Sequence, residues 1–365
     1  MIHRLSLAHP GGTTPIVVGA GALEATRAEL ETWCAGRTLF VVSSPRVRAL
    51  HGAVLAPLGA AAARVVDLDV PDGEAAKTVA EVAELWHGLL AAGGKRDSRL
   101  ITFGGGSVSD LGGFAAATFL RGIEFAALPT TLLAQVDAAL GGKTGIDLPG
   151  AKNSVGAFHM PAFVVADTAW LSTLPRAELR AGLAEVIKVA FVLEPELFAR
   201  LEREIAGLLD GDPHRLAPIV AAAAAAKAAV VERDPKEAGE RRVLNFGHTL
   251  GHALEAAGLE RGEPLAHGDA VGWGMRFALR LASPRGLPAE DSARLSELLD
   301  RLGLPPLPQF TPEELLAVLA RDKKAVESGV RWVLPRRLGA WAAVEVAPDE
   351  VRAELVEFLA ACQSH

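Results

Sequence analysis

The chain has 365 residues, enough for two domains or one large one with a full hydrophobic core. At 50% hydrophobic and 22% charged residues, with a net charge of −7 and no long basic run, it excludes nucleic acid as a main partner. An anionic small molecule stays possible, because a binding site needs only local positive charge.

No stretch reads as a membrane span of roughly twenty apolar residues, and Met1-Ile2-His3-Arg4 is not followed by a signal-peptide core. Cys34 and Cys362 lie far apart and outside any metal-type spacing. A cytoplasmic protein without membrane contact, disulfide framework or thiolate zinc site is expected.

In chain order, Thr38 to Val42, Ala63 to Leu68, Leu100 to Phe103 and Glu124 to Leu128 read as buried parallel strands, separated by helices such as 77–92. This βαβ alternation predicts a parallel sheet covered by helices. From about Pro175 the pattern turns to helix after helix, at 176–192, 196–208, 214–232, 245–257, 268–283, 289–302 and 312–321, with a last amphipathic helix at 349–361. Two domains are expected: an α/β domain over 1–175 and an all-α domain over 176–365. The six alanines 221–226 read as a closely packed helix rather than low complexity, since Ala is the best helix former, and Lys227 is the first long side chain after them.

The composition is biased. There is no Tyr, there are two Asn, and nine Lys stand against twenty-eight Arg. Lys is a compact point charge that Arg does not replace at a tight phosphate or hydroxyl contact. Both Asn and seven of the nine Lys fall inside the motifs below.

Phe103-Gly104-Gly105-Gly106-Ser107-Val108-Ser109-Asp110 follows a predicted strand and opens a helix, where glycines let the backbone approach a pyrophosphate; a tight strand-to-helix turn also wants Gly. Pro71-Asp72-Gly73-Glu74 with Lys77 makes a second loop at the end of a strand, and two such loops favour a nucleotide. Thr130, Thr131, Asp137, Gly141-Gly142-Lys143-Thr144-Gly145 and Lys152-Asn153 supply the cations, amide and hydroxyls that a phosphorylated, polyhydroxylated ligand needs. Gly142-Lys143-Thr144 resembles a phosphate-loop fragment, but Asp137 stands where that pattern requires Gly, so an ATPase is rejected.

Glu185 and Lys188, at i and i+3 in an apolar segment, form either a solvated ion pair or a buried pair that serves a metal or substrate. Arg241-Arg242-Val243-Leu244-Asn245-Phe246-Gly247-His248-Thr249-Leu250-Gly251-His252, answered by His267-Gly268-Asp269, places two His on one helix face and a third nearby: a metal or acid/base site. Glu185, His248 and His267 would give a carboxylate and two imidazoles with a fourth position open, the mark of a catalytic zinc.

Taken together, these motifs resemble 3-dehydroquinate synthase, within the sugar phosphate cyclase superfamily, from about Gly19 to the C-terminus. They include Gly104 to Gly106 with Asp110, Pro129 to Asp137, Gly141 to Gly145, Lys152-Asn153, Ala184 to Lys188, Leu244 to Thr249, His267-Gly268 and Asp322-Lys323-Lys324. The resemblance implies a Rossmann-like NAD-binding α/β domain (1–175) joined to an all-α metal- and substrate-binding domain (176–365), with the site in the cleft and a homodimer as the assembly.

It also implies zinc, or cobalt in its place, on Glu185, His248 and His267, with His252 as a base on the substrate side. NAD is assigned Ser44, Glu74, Lys77, Gly104, Gly105, Gly106, Asp110, Thr130, Thr131, Lys152 and Thr173. The implied substrate is 3-deoxy-D-arabino-heptulosonate 7-phosphate. Lys227 and Arg241 are assigned to its carboxylate, and Lys143, Asn153 and one of Lys323 or Lys324 to its phosphate. Arg121 reaches the partner subunit's phosphate site. Asp137, Lys188 and Asn245 handle hydroxyls, and Glu237 is an acid/base candidate. The implied reaction is transient oxidation by NAD, elimination of phosphate, return of the hydride and intramolecular aldol closure to 3-dehydroquinate, a step of the shikimate pathway toward chorismate and the aromatic amino acids.

Several positions depart from the family pattern. Ser44 stands where Asp or Asn is usual, Ser107 and Ser109 replace Val and Gly, Pro235 replaces Glu, and Asp269 replaces Glu. Rival readings are a cyclase of sedoheptulose 7-phosphate or glucose 6-phosphate, whose substrates lack the carboxylate assigned to Arg241 and Lys227; a metal-dependent polyol dehydrogenase; and an NAD-binding protein without activity.

Overall fold

The structure is a computed structural model that describes residues 1–149, 151–321, 325–326 and 329–363. Its contacts divide the chain into two units, Met1–Pro175 with Gly211–Lys236 and Arg176–Asp210 with Glu237–His365.

The first unit runs through β1 (His3–His9), β2 (Gly12–Gly19), α1 (Ala22–Cys34), β3 (Thr38–Ser43), α2 (Pro45–His51), α3 (Ala56–Ala61), β4 (Arg64–Asp69) and α4 (Val79–Ala91). It continues through β5 (Arg99–Gly104), α5 (Gly106–Thr118), β6 (Glu124–Pro129), β7 (Lys143–Leu148), β8 (Ala151–Phe158) and β9 (Phe163–Asp167). Seven strands form one sheet in the order β1-β2-β9-β6-β5-β3-β4, parallel except for the β1–β2 hairpin at one edge. Every residue of β5 is buried, as a central parallel strand covered on both faces requires. Val41, Ile101, Phe103, Ala126, Leu128 and Val165 of the sheet pack with Leu23, Leu30 and Trp170 in one core.

The four strands expected from sequence are β3 to β6, but β4 was expected to be buried and is instead largely exposed, because it is the edge strand of the sheet. β3 and β5 are neighbours whose following connections leave in opposite directions, toward β4 and toward β6. That is the switch point of an open α/β sheet, where a crevice forms beyond the carboxyl ends of the strands. Gly104-Gly105-Gly106 lies there.

The second unit begins with α6 (Arg176–Leu193) and α7 (Pro195–Leu208). The next helix, α8 (Pro213–Arg233), returns to the first unit and packs on β1 and β2. Its alanines allow that close approach, so 211–236 groups with the sheet although the sequence placed it in the helical half. α8 is also long and apolar enough to cross a membrane, against the reading that no stretch approaches a span, but most of it is buried within the protein.

The second unit then continues with α9 (His248–Glu260), α10 (His267–Ala282), α11 (Ala289–Leu302), α12 (Pro312–Arg321), β10 (Ala325–Val326), β11 (Gly329–Arg337), β12 (Ala340–Val346) and α13 (Pro348–Gln363). It is helical, with one addition to the all-α expectation: β10, β11 and β12 form an antiparallel sheet. Buried Trp332 of β11 packs against Phe277 of α10, with ring centroids 5.3 Å apart. The run Leu334-Pro335-Arg336-Arg337 interrupts the strand alternation in sequence, and the register shifts at Pro335.

Candidate functional site

In the second unit, three helices bring the carboxylate and imidazoles together through backbone contact. A Cβ on Gly268 would lie 1.9 Å from the Ala181 carbonyl oxygen, and one on Gly274 would lie 1.9 Å from that of Gly247. No side chain fits at either position, so α10 sits directly on α6 and on the start of α9. Arg180 adds a tie between α6 and α10, donating from Nε and Nη2 to the two carboxylate oxygens of Asp269, both at 2.8 Å.

Glu185 and Lys188, one turn apart on α6, are each 1% exposed, and the Lys188 ammonium pairs with Glu185 Oε2. This selects the buried pair over the solvated one. Around Glu185 Oε1 stand His248 Nε2 at 3.6 Å and His267 Nε2 at 3.3 Å. His248 Nδ1 faces the Phe246 carbonyl oxygen at 3.2 Å, a group that can only accept, and His267 Nδ1 faces Glu255 Oε2 at 3.1 Å. Both acceptors hold the Nδ1 proton, which leaves Nε2 of each ring, aimed at Glu185, as the nitrogen that a metal would take. The ligand atoms of the three residues lie within 4.8 Å of one another. One carboxylate and two imidazoles with converging lone pairs fit zinc or cobalt with a position left open.

Electrostatics agree with the geometry. Burial, together with Lys188, pushes His248 well below the ordinary imidazole value against the pull of Glu185, so it is neutral. Burial opposes charge on His267 too, but its bonds to Glu185 and Glu255 outweigh this and raise it to about 10. Without a metal, protonated His267 is a second cation, beside Lys188, against the carboxylates of Glu185 and Glu255.

His252 is exposed on the same face of α9, its ring 5.2 Å from His248 and 6.1 Å from His267. Arg241 is buried in the turn 240–245 before α9, and Asn245 Nδ2 donates to Glu237 Oε1 at 2.7 Å. Glu237 itself has a left-handed backbone, φ 59°.

In the first unit, no side chain caps α5, so its first N–H groups face the crevice after the Gly-rich turn. Ser107 Oγ donates to Glu74 Oε2 at 3.0 Å, joining this turn to the loop after β4. Lys77 is 3% exposed and lies 3.0 Å from Asp110, 3.5 Å from Glu74 and 3.8 Å from Asp147. Burial works against its charge, but these three carboxylates raise its pKa above the ordinary lysine value. Burial pushes Asp110 up to about 6 despite Lys77, and it works against the Glu74 carboxylate too, where Lys77 and Lys152 outweigh it and hold the group below its usual range.

Asn153, read as a phosphate contact beside Lys143, accepts instead from Lys77 and donates its backbone N–H to Asp147 at 2.6 Å. Lys143, Lys152 and Arg121 are exposed, and Arg121 follows Leu120 in a left-handed pair with φ 50° and 71°. Thr130 is buried, and Thr131 Oγ1 accepts from Ala134 N at 3.2 Å. Ser44 is buried and caps α2 by accepting from Val47 N at 3.3 Å, while Thr173 Oγ1 bonds His51 Nε2 at 2.9 Å. Lys227 donates to the Asp137 carbonyl at 2.6 Å and pairs with its carboxylate, in a π-helical turn at 134–138. Lys323 and Lys324 lie outside the described residues.

Three participants escaped the sequence reading: Glu255, Asp147 and the Arg180–Asp269 tie. Glu255 left a signal, because His248, His252 and Glu255 stand at i, i+4 and i+7 on one helix face.

Sequence models of the 3-dehydroquinate synthase N-terminal and C-terminal families match residues 67–181 and 182–325. The chain is 46% identical to the 3-dehydroquinate synthase of Geobacter metallireducens over 90% of this chain and 91% of that one. Among solved structures it resembles 2-deoxy-scyllo-inosose synthase complexed with carbaglucose-6-phosphate, NAD+ and Co2+, with TM-score 0.89, 26% identity and 97% and 100% coverage of the two chains. It also resembles 2-epi-5-epi-valiolone synthase from Streptomyces hygroscopicus subsp. jinggangensis with NAD+ and Zn2+ bound, with TM-score 0.85, 30% identity and 95% and 97% coverage.

Proposed function

The chain belongs to the 3-dehydroquinate synthase family, and we propose that it performs that family's phosphate-eliminating ring closure with the residues described in each of its two units. It converts 3-deoxy-D-arabino-heptulosonate 7-phosphate to 3-dehydroquinate and phosphate in the shikimate pathway. The observation that carries the residue assignment is the convergence of His248 Nε2 and His267 Nε2 on the Glu185 carboxylate.

When bound, a divalent metal acidifies the substrate hydroxyl and polarises the ketone, and NAD takes and returns the hydride. Glu185, His248 and His267 hold the metal. Lys188 neutralises the far oxygen of Glu185 and is assigned to a substrate hydroxyl with Asn245 and Asp137. His252, exposed beside the metal ligands, is placed to exchange protons with substrate and solvent. Glu237, hydrogen-bonded to Asn245, is the second acid/base candidate.

Glu74, Lys77, Asp110, the N-terminus of α5, Thr130, Thr131, Lys152 and Thr173 form the NAD subsite. The hydroxyl of Ser44 is already engaged as a helix cap, which supports a smaller part for it than the Asp or Asn usual there. Arg241 and Lys227, both buried, are assigned to the substrate carboxylate by their match to the family pattern, Lys227 from its place beside Asp137. Lys143, with Lys323 or Lys324, is assigned to phosphate, and Asn153 joins them once released from Lys77. A homodimer in the cytoplasm, with exposed Arg121 serving the neighbouring subunit, completes the reading.

The test is phosphate release from the zinc-loaded protein with catalytic NAD, comparing the keto acid phosphate with sedoheptulose 7-phosphate while NADH absorbance is followed. Release from the keto acid alone without net NADH is expected. Release only from sedoheptulose 7-phosphate would move the chain to the sibling cyclases, and net NADH without phosphate would make it a dehydrogenase.

A further inference from the structure

His267 is the first residue of α10, it follows the loop 261–266, and no side chain caps that helix end. A ligand in this position has little in its own helix to fix its ring. What faces the ring from behind is Glu255, buried on α9, with Oε2 3.1 Å from Nδ1, while Nε2 on the far side points at Glu185.

We propose that Glu255 is a positioning residue that locks His267 in the Nδ1–H tautomer and in the ring plane that directs Nε2 at the metal. This rests on the assignment of Glu185, His248 and His267 as ligands. Imidazole ligands are oriented by an acceptor on their second nitrogen, and removing such an acceptor weakens metal binding by about 10–100-fold. The two ligand histidines use different acceptors. His248 relies on the Phe246 carbonyl, which no side-chain substitution removes, whereas His267 depends on a side chain.

Glu255 could instead be a ligand itself, since His252, Glu255 and His267 also lie close enough to hold an ion. That arrangement would use Nδ1 of His267 and turn its Nε2 away from use. It would also leave the buried Glu185 carboxylate and His248 Nε2, which already converge, outside the coordination sphere. The geometry favours the positioning role.

The test is zinc affinity of the whole protein, measured by competition with a chromophoric chelator, for the unaltered chain, E255L, E255Q, E185A and H248A. E255L is expected to bind zinc about 10–100-fold more weakly, and E255Q, whose amide oxygen still accepts from Nδ1, to recover much of that loss. Zinc binding by E255L as tight as in the unaltered chain overturns the positioning role. Unchanged affinity in E185A and H248A would overturn the ligand assignment itself.

A second measurement needs no variant. In the zinc-loaded protein with labelled histidine, long-range proton–nitrogen spectra should show His267 bound through Nε2 with its proton on Nδ1. Coordination through Nδ1 would make Glu255 a ligand and reject the proposal.

Discussion

Arg180 and Asp269 face each other through two parallel 2.8 Å hydrogen bonds, and Asp269 is two residues beyond His267, whose Nε2 faces Glu185. The Asp is 2% exposed, so its charge is satisfied within the protein rather than by water. Replacing Arg180 with Ala leaves that carboxylate buried without its guanidinium and should cost roughly 3 kcal/mol. A urea titration of R180A should show a clearly lower midpoint; an unchanged midpoint would mean that the pair adds nothing to the seating of α10 on α6.

Gly268 tests the same seating by a different force. A Cβ there meets the Ala181 backbone 1.9 Å away, and backbone cannot rotate aside as a side chain can. G268A should therefore destabilise by about 1–3 kcal/mol or more, and it should weaken zinc binding too because it moves His267 away from Glu185. Normal zinc affinity in a stable G268A protein would disprove the claim that this contact sets the ligand distance.

The sequence carried part of the fold, but β2 and β9, with the buried apolar runs Val17-Val18 and Val164-Val165-Ala166, were not among the strands it predicted. β3 to β6 and the helices of the second unit follow from apolar runs and 3.6-residue spacing. Strands with mixed or polar faces did not show: β1 mixes Leu5 and Leu7 with Arg4, Ser6 and two His, and β7 and β8 form a Gly- and Lys-containing hairpin. The cluster of Glu185, His248 and His267 was legible because its residues sit in short motifs with few alternatives. Glu255 and Asp147 were not, since an acidic residue on an amphipathic helix or in a hairpin is common, and only packing shows whom it faces. Asn153 illustrates the limit: the resemblance assigned it to phosphate with Lys143, and nothing in the sequence indicated that the hairpin also brings it to Lys77.

Asp110 makes stability depend on pH in the direction opposite to most carboxylates. Its pKa in the folded protein is about 6 against an ordinary 3.8. Between these values the folded state keeps a proton that the unfolded chain has lost, so stability falls as pH rises from about 4 to 6 and levels off above. In cofactor-free protein, D110N should remove this loss and gain on the order of 2 kcal/mol relative to the unaltered chain between those pH values. Urea midpoints measured across that range check it; parallel curves for the two proteins would show that Asp110 titrates as it does in the unfolded chain.

Lys188 links the stability of the second unit to metal. With Glu185 it forms an ion pair in which each side chain is 1% exposed, and the same carboxylate faces the two imidazoles. K188M removes one cation from a buried carboxylate, which should cost the metal-free protein about 3–5 kcal/mol. A bound divalent ion supplies positive charge to that same carboxylate, so part of the loss should return on zinc addition. The melting temperature of K188M should therefore rise more on zinc binding than that of the unaltered chain, even though Lys188 is not a ligand. Equal shifts in the two proteins would mean that the ammonium and the metal do not act on the same charge, and the coupling between α6 and the metal group would have to be abandoned.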